Sequence, residues 1–426
     1  MSIENGSTPA LAVIILLGSI GSMSIALIRG RQAIFIAALL SAFLSRAAVA
    51  QTVYTWIGGG NTSRWFDNAN WDVPPDPNGI LRFQGSKQTA TINDRFNNIF
   101  EVVFNSSSDF SISGNPLIFQ PYTNISSEIR NIGTGRATLN INLAFFYTVN
   151  LATQDTGANV SAINGDIVFN GTVGMTGDVS AITVRGDGHA VTFNGAVSGA
   201  GKGLSVSGTN TVTLAAANSF SGGTDISGGK IVAASSGALG QSNGIVVTNS
   251  GSLIITGNGN LNRINDAAPI SLAGTLARAG SGVVSEGSGA SVSGGMVSGM
   301  STSGIGALTL TANSTIDFGS GGVGTFTISS FNANGHTLSI LNWTSSASAF
   351  TGQSGHDGVD DRLIFSQDES GNLQYFDFNG LAAMQIPLDG GFYEIVAVPE
   401  PATYFAGLLT AVAVALARNR RNRNSG

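Results

Sequence analysis

The sequence predicts an all-β fold: a right-handed parallel β-helix, or solenoid, with an aromatic N-terminal cap and a C-terminal transmembrane helix. Three observations carry that prediction. Between residues 51 and 398 no run of ten or more residues keeps helical periodicity. The same stretch is filled with apolar runs of four to eight residues, rich in Val, Ile, Leu, Thr and Phe and bounded by turn formers. Two of these runs, IVFNGTV at 167–173 and VTFNGAV at 191–197, are offset by 24 residues, a spacing that suits one supersecondary unit repeating along an axis. A β-sandwich is the alternative, because Asn170-Gly171 and Asn194-Gly195 are type I′ hairpin signals.

Composition bounds the function classes. Only 10% of the 426 residues are charged, 58 are Gly and none is Cys, while the hydrophobic fraction is 42%. Such a chain is neither charge-driven disorder nor collagen, whose glycines keep a three-residue period. Without Cys, the fold must be held by burial and hydrogen-bond ladders. Twelve basic against twenty-three acidic residues give residues 51–398 a net charge of −11, which argues against a nucleic-acid partner. The remaining arginines cluster at the two ends, beside uncharged runs, as membrane-targeting signals do.

Taken from the N-terminus, residues 33–44 (AIFIAALLSAFL) form an apolar run preceded by Arg29 and Arg31 and followed by SRAAVAQ. This is the layout of a secretory signal peptide occupying residues 1–50. Small residues at Ala48 and Ala50 suit a signal peptidase and place the cut before Gln51. The uncharged stretch 10–28 is long enough to span a bilayer, so it reads either as an anchor or as part of an over-extended start, with the true start near Met23.

Residues 51–110 read as the cap and first strands. Three of the four tryptophans, Trp56, Trp65 and Trp71, fall within YTWIGGGNTSRWFDNANWDVPPDPNGILRF at 54–83, where an aromatic plug would cover an open solenoid end. A sugar-stacking platform is the other reading of that trio. Residues 111–345 carry the solenoid repeats. Besides the matching pair, VVFN at 102–105 echoes the same pattern, and strand-like runs recur at 204–208, 211–216, 244–248, 252–256, 308–312, 326–331 and 336–343 (HTLSILNW). Residues 346–398 read as a C-terminal β segment and linker.

The chain closes with VPEPATYFAGLLTAVAVALARNRRNRNSG at 398–426. Pro399 and Pro401 hold VPEP extended, Ala402 to Ala417 form a short apolar helix of about 24 Å, and Arg418, Arg420, Arg421 and Arg423 hold the tail in the cytoplasm. Pro399, Glu400, Pro401, the helix and the basic tail together resemble the PEP-CTERM sorting signal of Gram-negative bacteria. The resemblance covers about the last 28 residues. It implies a precursor tethered in the inner membrane by its C-terminal helix, then cut by an exosortase on the way to the cell surface or exopolysaccharide matrix.

A second resemblance lies mid-chain. NSFSGGTDISGGKIVAASSGALG at 218–240 is similar to the autotransporter-associated β-strand repeat at Asn218, Phe220, Ser221, Gly222, Gly223, Thr224, Ile226, Gly228, Gly229, Ile231 and Val232. Such repeats build parallel β-helices in secreted passenger proteins. The translocator barrel of those proteins is replaced here by the apolar helix and Arg tail.

Candidate chemistry is sparse. Three histidines, His189, His336 and His356, and no cysteine give no zinc-ligand spacing. Asp178, Arg185, Asp187 and His189 form the densest polar cluster and would serve a lyase-like enzyme if they lined one groove. His356, Asp357, Asp360 and Asp361 offer hard oxygen ligands for Ca²⁺ but lack a calcium-loop spacing; no cofactor is expected. The function expected is that of an exported, non-enzymatic structural or adhesive protein. Its partners would be the general secretion machinery, signal peptidase, exosortase, the membrane and an exopolysaccharide. A polysaccharide-acting enzyme or a carbohydrate-binding protein on the same fold is the alternative.

Overall fold

The structure is a computed structural model that describes residues 51–120, 127–147, 158–248, 250–286, 291–293, 296–298, 304–344 and 360–398. The chain divides into Met1–Gln51 and Thr52–Gly426, and apart from Gln51 the described residues belong to the second unit. They form a nearly all-β solenoid of about ten coils with almost no helix. Short 3-10 turns at Asn68–Asn70, Ser370–Tyr375 and Asp389–Gly391 are the helical elements among the described residues.

Successive coils lay their strands on the preceding ones in parallel, building three walls. The first wall begins with Val53–Trp56, Ile80–Gln84 and Glu101–Asn105 and continues through Ile305–Leu310 to Gly324–Asn332 and Arg362–Phe365. The second runs from Ala90–Asn93 to Phe376–Asp377, and the third, shorter, from Asn98–Ile99 to Ser219–Phe220. Antiparallel pairing is confined, among the described residues, to small hairpins, a bridge from Trp56 to Trp71 at the start of the first wall, and the end of that wall. There Tyr393–Ala397 runs against both Arg362–Phe365 and Ala383–Pro387.

Side chains alternate in and out of each wall, so every coil contributes the same inward positions to a column. In the first wall one column reads Tyr54, Leu81, Val102, Ile129, Val160, Val184, Val206, Ile226, Val247, Leu272 and Leu310, in register from coil to coil and all buried. The second wall carries Ala137, Ile167, Val191, Val212, Ile231, Leu253, Leu276, Ile316 and Ile340 in the same way. Aromatic rings stack in further inward columns: Phe119 on Phe145 at 4.7 Å in the third wall and Phe169 on Phe193 at 4.8 Å in the second. Burying each such side chain contributes about 1.5–3 kcal/mol, which is how a chain without disulfides holds together.

The 24-residue offset is a true coil, since Ile167, Val168 and Phe169 pair with Val191, Thr192 and Phe193. VVFN at 102–105 is not part of that column; it lies in the first wall, whereas IVF at 167–169 lies in the second. The β-sandwich is overturned by the parallel pairing. Neither residue of Asn170-Gly171 or Asn194-Gly195 takes the positive φ that a type I′ turn requires. These dipeptides instead turn the corner from the second wall to the third, where a side chain on Gly195 would sit 2.1 Å from the Gly171 carbonyl of the coil below. Beside them Asn140, Asn170 and Asn194 form an amide ladder, with bonds of 2.6 and 2.8 Å.

The aromatic trio closes the first coil. Trp56 and Trp65 have no exposure and Trp71 only 3%. Trp71 meets both neighbours edge-on, at 5.1 and 5.8 Å, and donates its indole N–H to the Trp65 carbonyl. The same segment covers the free edge of Val53–Trp56: the Thr55 amide donates to the Asp72 carboxylate and the Asp72 amide to the Thr55 carbonyl. The trio is therefore a plug, and the sugar-platform reading of Trp56, Trp65 and Trp71 is corrected by their burial.

No helix among the described residues is long and apolar enough to cross a membrane. The transmembrane helix expected at 402–417 and the sorting residues Pro399, Glu400, Pro401, Arg418, Arg420, Arg421 and Arg423 lie outside the described residues, as do Ala48 and Ala50.

Candidate functional site

On the side of the first wall away from the inward columns, the early coils carry a row of polar groups. The positions there align Glu101, Glu128 and Asn159 in one row and Val103, Arg130, Ser161 and Arg185 in the next. Parallel stacking sets neighbours in a row about 4.8 Å apart, so charges that are remote in sequence become adjacent. Arg130 reaches Glu101 at 2.5 Å and Glu128 at 3.6 Å, while Ser161 donates to Glu128 at 2.5 Å. Arg185 donates to the Asn159 carboxamide. Burial pushes the Glu101 carboxyl above its ordinary value, against the pull of Arg130. The strip sets carboxylate, guanidinium, hydroxyl and amide groups in a line along the axis, but Glu101, Asn159 and Ser161 are buried, and Glu128, Arg130 and Arg185 are the members that reach solvent. Its carboxylates are already engaged by Arg130 and Ser161.

The cluster read from Asp178, Arg185, Asp187 and His189 is not assembled into one groove. Gly186 and Gly188, both at positive φ, turn the chain between Arg185 and His189. Arg185 stays on the first wall with Asn159, whereas His189 sits at the turn into the second wall, 3.7 Å from Asp166. Asp178 is exposed beyond the end of a third-wall strand, Val173–Gly177. Spacing along the chain is a poor guide here because each coil turns sharp corners.

Of the acidic loop, His356 and Asp357 lie outside the described residues, and Asp360 and Asp361 are buried. Asp361 accepts from the Gly324 amide at 2.7 Å and the Thr344 amide at 2.8 Å, so its oxygens serve the backbone. No group of three His, Asp or Glu residues placed to hold a metal occurs among the described residues.

Sequence reasoning missed a set of charges inside the solenoid. In the second wall the column Ile112, Leu139, Phe169, Phe193, Leu214, Ala233, Ile255 is continued by Arg278, 2% exposed. Its guanidinium bonds the carbonyls of Gly280, Gly319 and Gly322. Nearby in the chain, Arg263 has no exposure and donates to the carbonyls of Thr256, Gly257 and Ser285 as well as to Glu286. Burial pushes the Glu286 carboxyl up to about 7, opposed by the Ile264 and Arg263 amides and then by the Arg263 guanidinium. These arginines lie past the end of the third wall and bond carbonyls from several coils, the work a continued strand ladder would do. The signal available in the sequence was an arginine in the strand pattern TLARA at 275–279, where alternation puts a charge inward.

Comparison with protein-family models, curated proteins and solved structures found no match.

Proposed function

We propose that the chain is an exported, non-enzymatic structural or adhesive protein of a Gram-negative cell surface or exopolysaccharide matrix. It carries a signal peptide cut before Gln51 and a PEP-CTERM signal at 399–426 that an exosortase processes. The observation that carries the reading is the unbroken register of the inward columns. A stack held by burial and inter-coil hydrogen bonds, with no cysteine to oxidise, suits a durable part outside the cell. Two Asn218 bonds illustrate the point: its side chain accepts from Val197 at 2.7 Å and donates to Ala238 at 2.8 Å, stapling three coils at one buried position. The acidic, hydroxyl- and amide-rich exterior supports contact with glycan rather than with nucleic acid.

The test is terminal mass spectrometry of the protein recovered from fractionated cells. An N-terminus at Gln51, a C-terminus near Pro399–Pro401 and recovery from the surface or matrix fraction are expected. An intracellular protein that keeps its first fifty residues overturns the reading.

A further inference from the structure

The fourth tryptophan stands apart from the buried three. Trp343 follows the second-wall strand Leu338–Leu341 and is only half-buried. Its orientation is fixed from two sides: the indole N–H donates to the Asp361 carbonyl at 3.1 Å, and Phe378 meets the ring edge-on at 5.0 Å. Beside it opens a cavity of about 570 Å³, lined among others by Leu341, Asn342, Trp343, Phe378, Asn379 and Leu381. That volume falls within the range of small-molecule sites.

The chemistry of the lining is mixed in a particular way. Trp343, Phe378 and the two leucines supply apolar surface, and Asn342 and Asn379 supply carboxamides that both donate and accept. Both asparagines are exposed and hold left-handed backbone, at φ 53 and 55. Asn342 is further fixed by donating to the Asp317 carboxylate at 2.7 Å. An indole and a phenyl ring with two asparagine amides at the margin suit a pyranose ring, which has one face of C–H groups and a rim of hydroxyls. The neighbouring Asp317 carboxylate and the acidic body disfavour an anionic sugar.

We propose that this cavity binds a neutral hexopyranose unit of an extracellular glycan, with Trp343 as the stacking face and Asn342 and Asn379 as the hydroxyl partners. The inference rests on the exported reading only for where the glycan is met. It gives that reading a defined point of attachment near one end of the solenoid, where the first wall turns antiparallel.

The test uses the full chain with cellohexaose, laminarihexaose and mannohexaose as neutral probes and an oligogalacturonate as the anionic one. Because Trp56, Trp65 and Trp71 are sealed from solvent, a ligand-dependent change in tryptophan emission reports Trp343. A saturable change with at least one neutral probe is expected. Asn342→Gly and Asn379→Gly should each weaken it about tenfold, the loss of roughly one hydrogen bond to a sugar hydroxyl. Glycine takes the left-handed φ without strain, so Asn379→Gly should unfold at the wild-type denaturant midpoint and Asn342→Gly, which loses its exposed bond to Asp317, only slightly below it. No response to any neutral probe at about 10 mM, equal binding by both glycine variants, or preference for the oligogalacturonate overturns the proposal. The two readings fail separately. An intracellular protein that binds these sugars keeps the site and loses the export reading, and an exported, processed protein that ignores them does the reverse.

Discussion

Arg263 and Glu286 face each other at 3.4 Å inside the solenoid with neither side chain exposed. Two buried charges are tolerated there because every coil around them supplies partners: carbonyls for the guanidinium and the Ile264 amide, at 2.7 Å, for the carboxylate. Glu286→Ala removes the carboxyl in either protonation state, leaving the Arg263 guanidinium without its side-chain partner and the Ile264 amide without an acceptor. We expect a loss of about 3–5 kcal/mol, read from the urea midpoint of the purified chain. A change below about 1 kcal/mol would show that the backbone carbonyls alone satisfy Arg263.

The same region makes stability depend on pH in an unusual direction. Burial holds Glu286 up to about 7 and Asp361 up to about 6, above the ordinary 4.5 and 3.8 of an unfolded chain. The folded state therefore binds these protons more tightly than the unfolded one. Their contribution is complete below about pH 4 and is lost as pH rises through 6 and 7, on the order of a few kcal/mol in all. Unfolding midpoints measured from pH 4 to 8 should fall with rising pH, and the slope should be shallower in Glu286→Gln.

The ring column offers a cleaner packing test. Phe193 stacks on Phe169 with the planes 10° apart and has no exposure. Phe193→Ala should cost about 3–5 kcal/mol, and Phe193→Leu, which matches Leu214 in the next coil, less than about 1.5 kcal/mol. Chemical denaturation of the two variants decides it.

At the corner between the second and third walls, the limit is space and not conformation. Gly195 has ordinary φ, yet a Cβ there would approach the Gly171 carbonyl to 2.1 Å and the following Thr172 amide to 3.0 Å. Gly195→Ala must spread the coils, at about 2–3 kcal/mol. Hydrogen exchange should accelerate first at the amides of Asn194 and Val197, which bond across that corner. Uniform protection throughout would show that the corner relaxes freely.

Much of the fold was legible because its columns are written as repeated strand patterns. The pairing of 167–169 with 191–193 follows from text similarity alone, and the residues around Asn218 each have a reason that sequence hints at. Phe220 enters the core, and a side chain on Gly222 would meet the backbone of Lys202 at 2.5 Å. Asn-Gly misled, since the dipeptide marks a hairpin only when its φ values are positive, and here coil stacking selects a corner instead. The polar strip was not legible. Glu101, Arg130 and Ser161 are 29 to 31 residues apart, and only the register of stacked coils brings them together. The buried arginines were hidden for the opposite reason: composition marks a charge as exterior, and the carbonyls that accept Arg278 come from 280, 319 and 322.

At the end of the first wall the reversed strand Tyr393–Ala397 is covered by Ala383–Pro387, so the outermost strand again runs in the direction of the coils. A second molecule arriving with its own first coil would present a segment already screened by the Trp71 and Asp72 turn. Head-to-tail templating of one described ladder on the next is thereby opposed at its first coil. Side-by-side contact through the flanks of the coils is the route that this leaves open to a larger assembly.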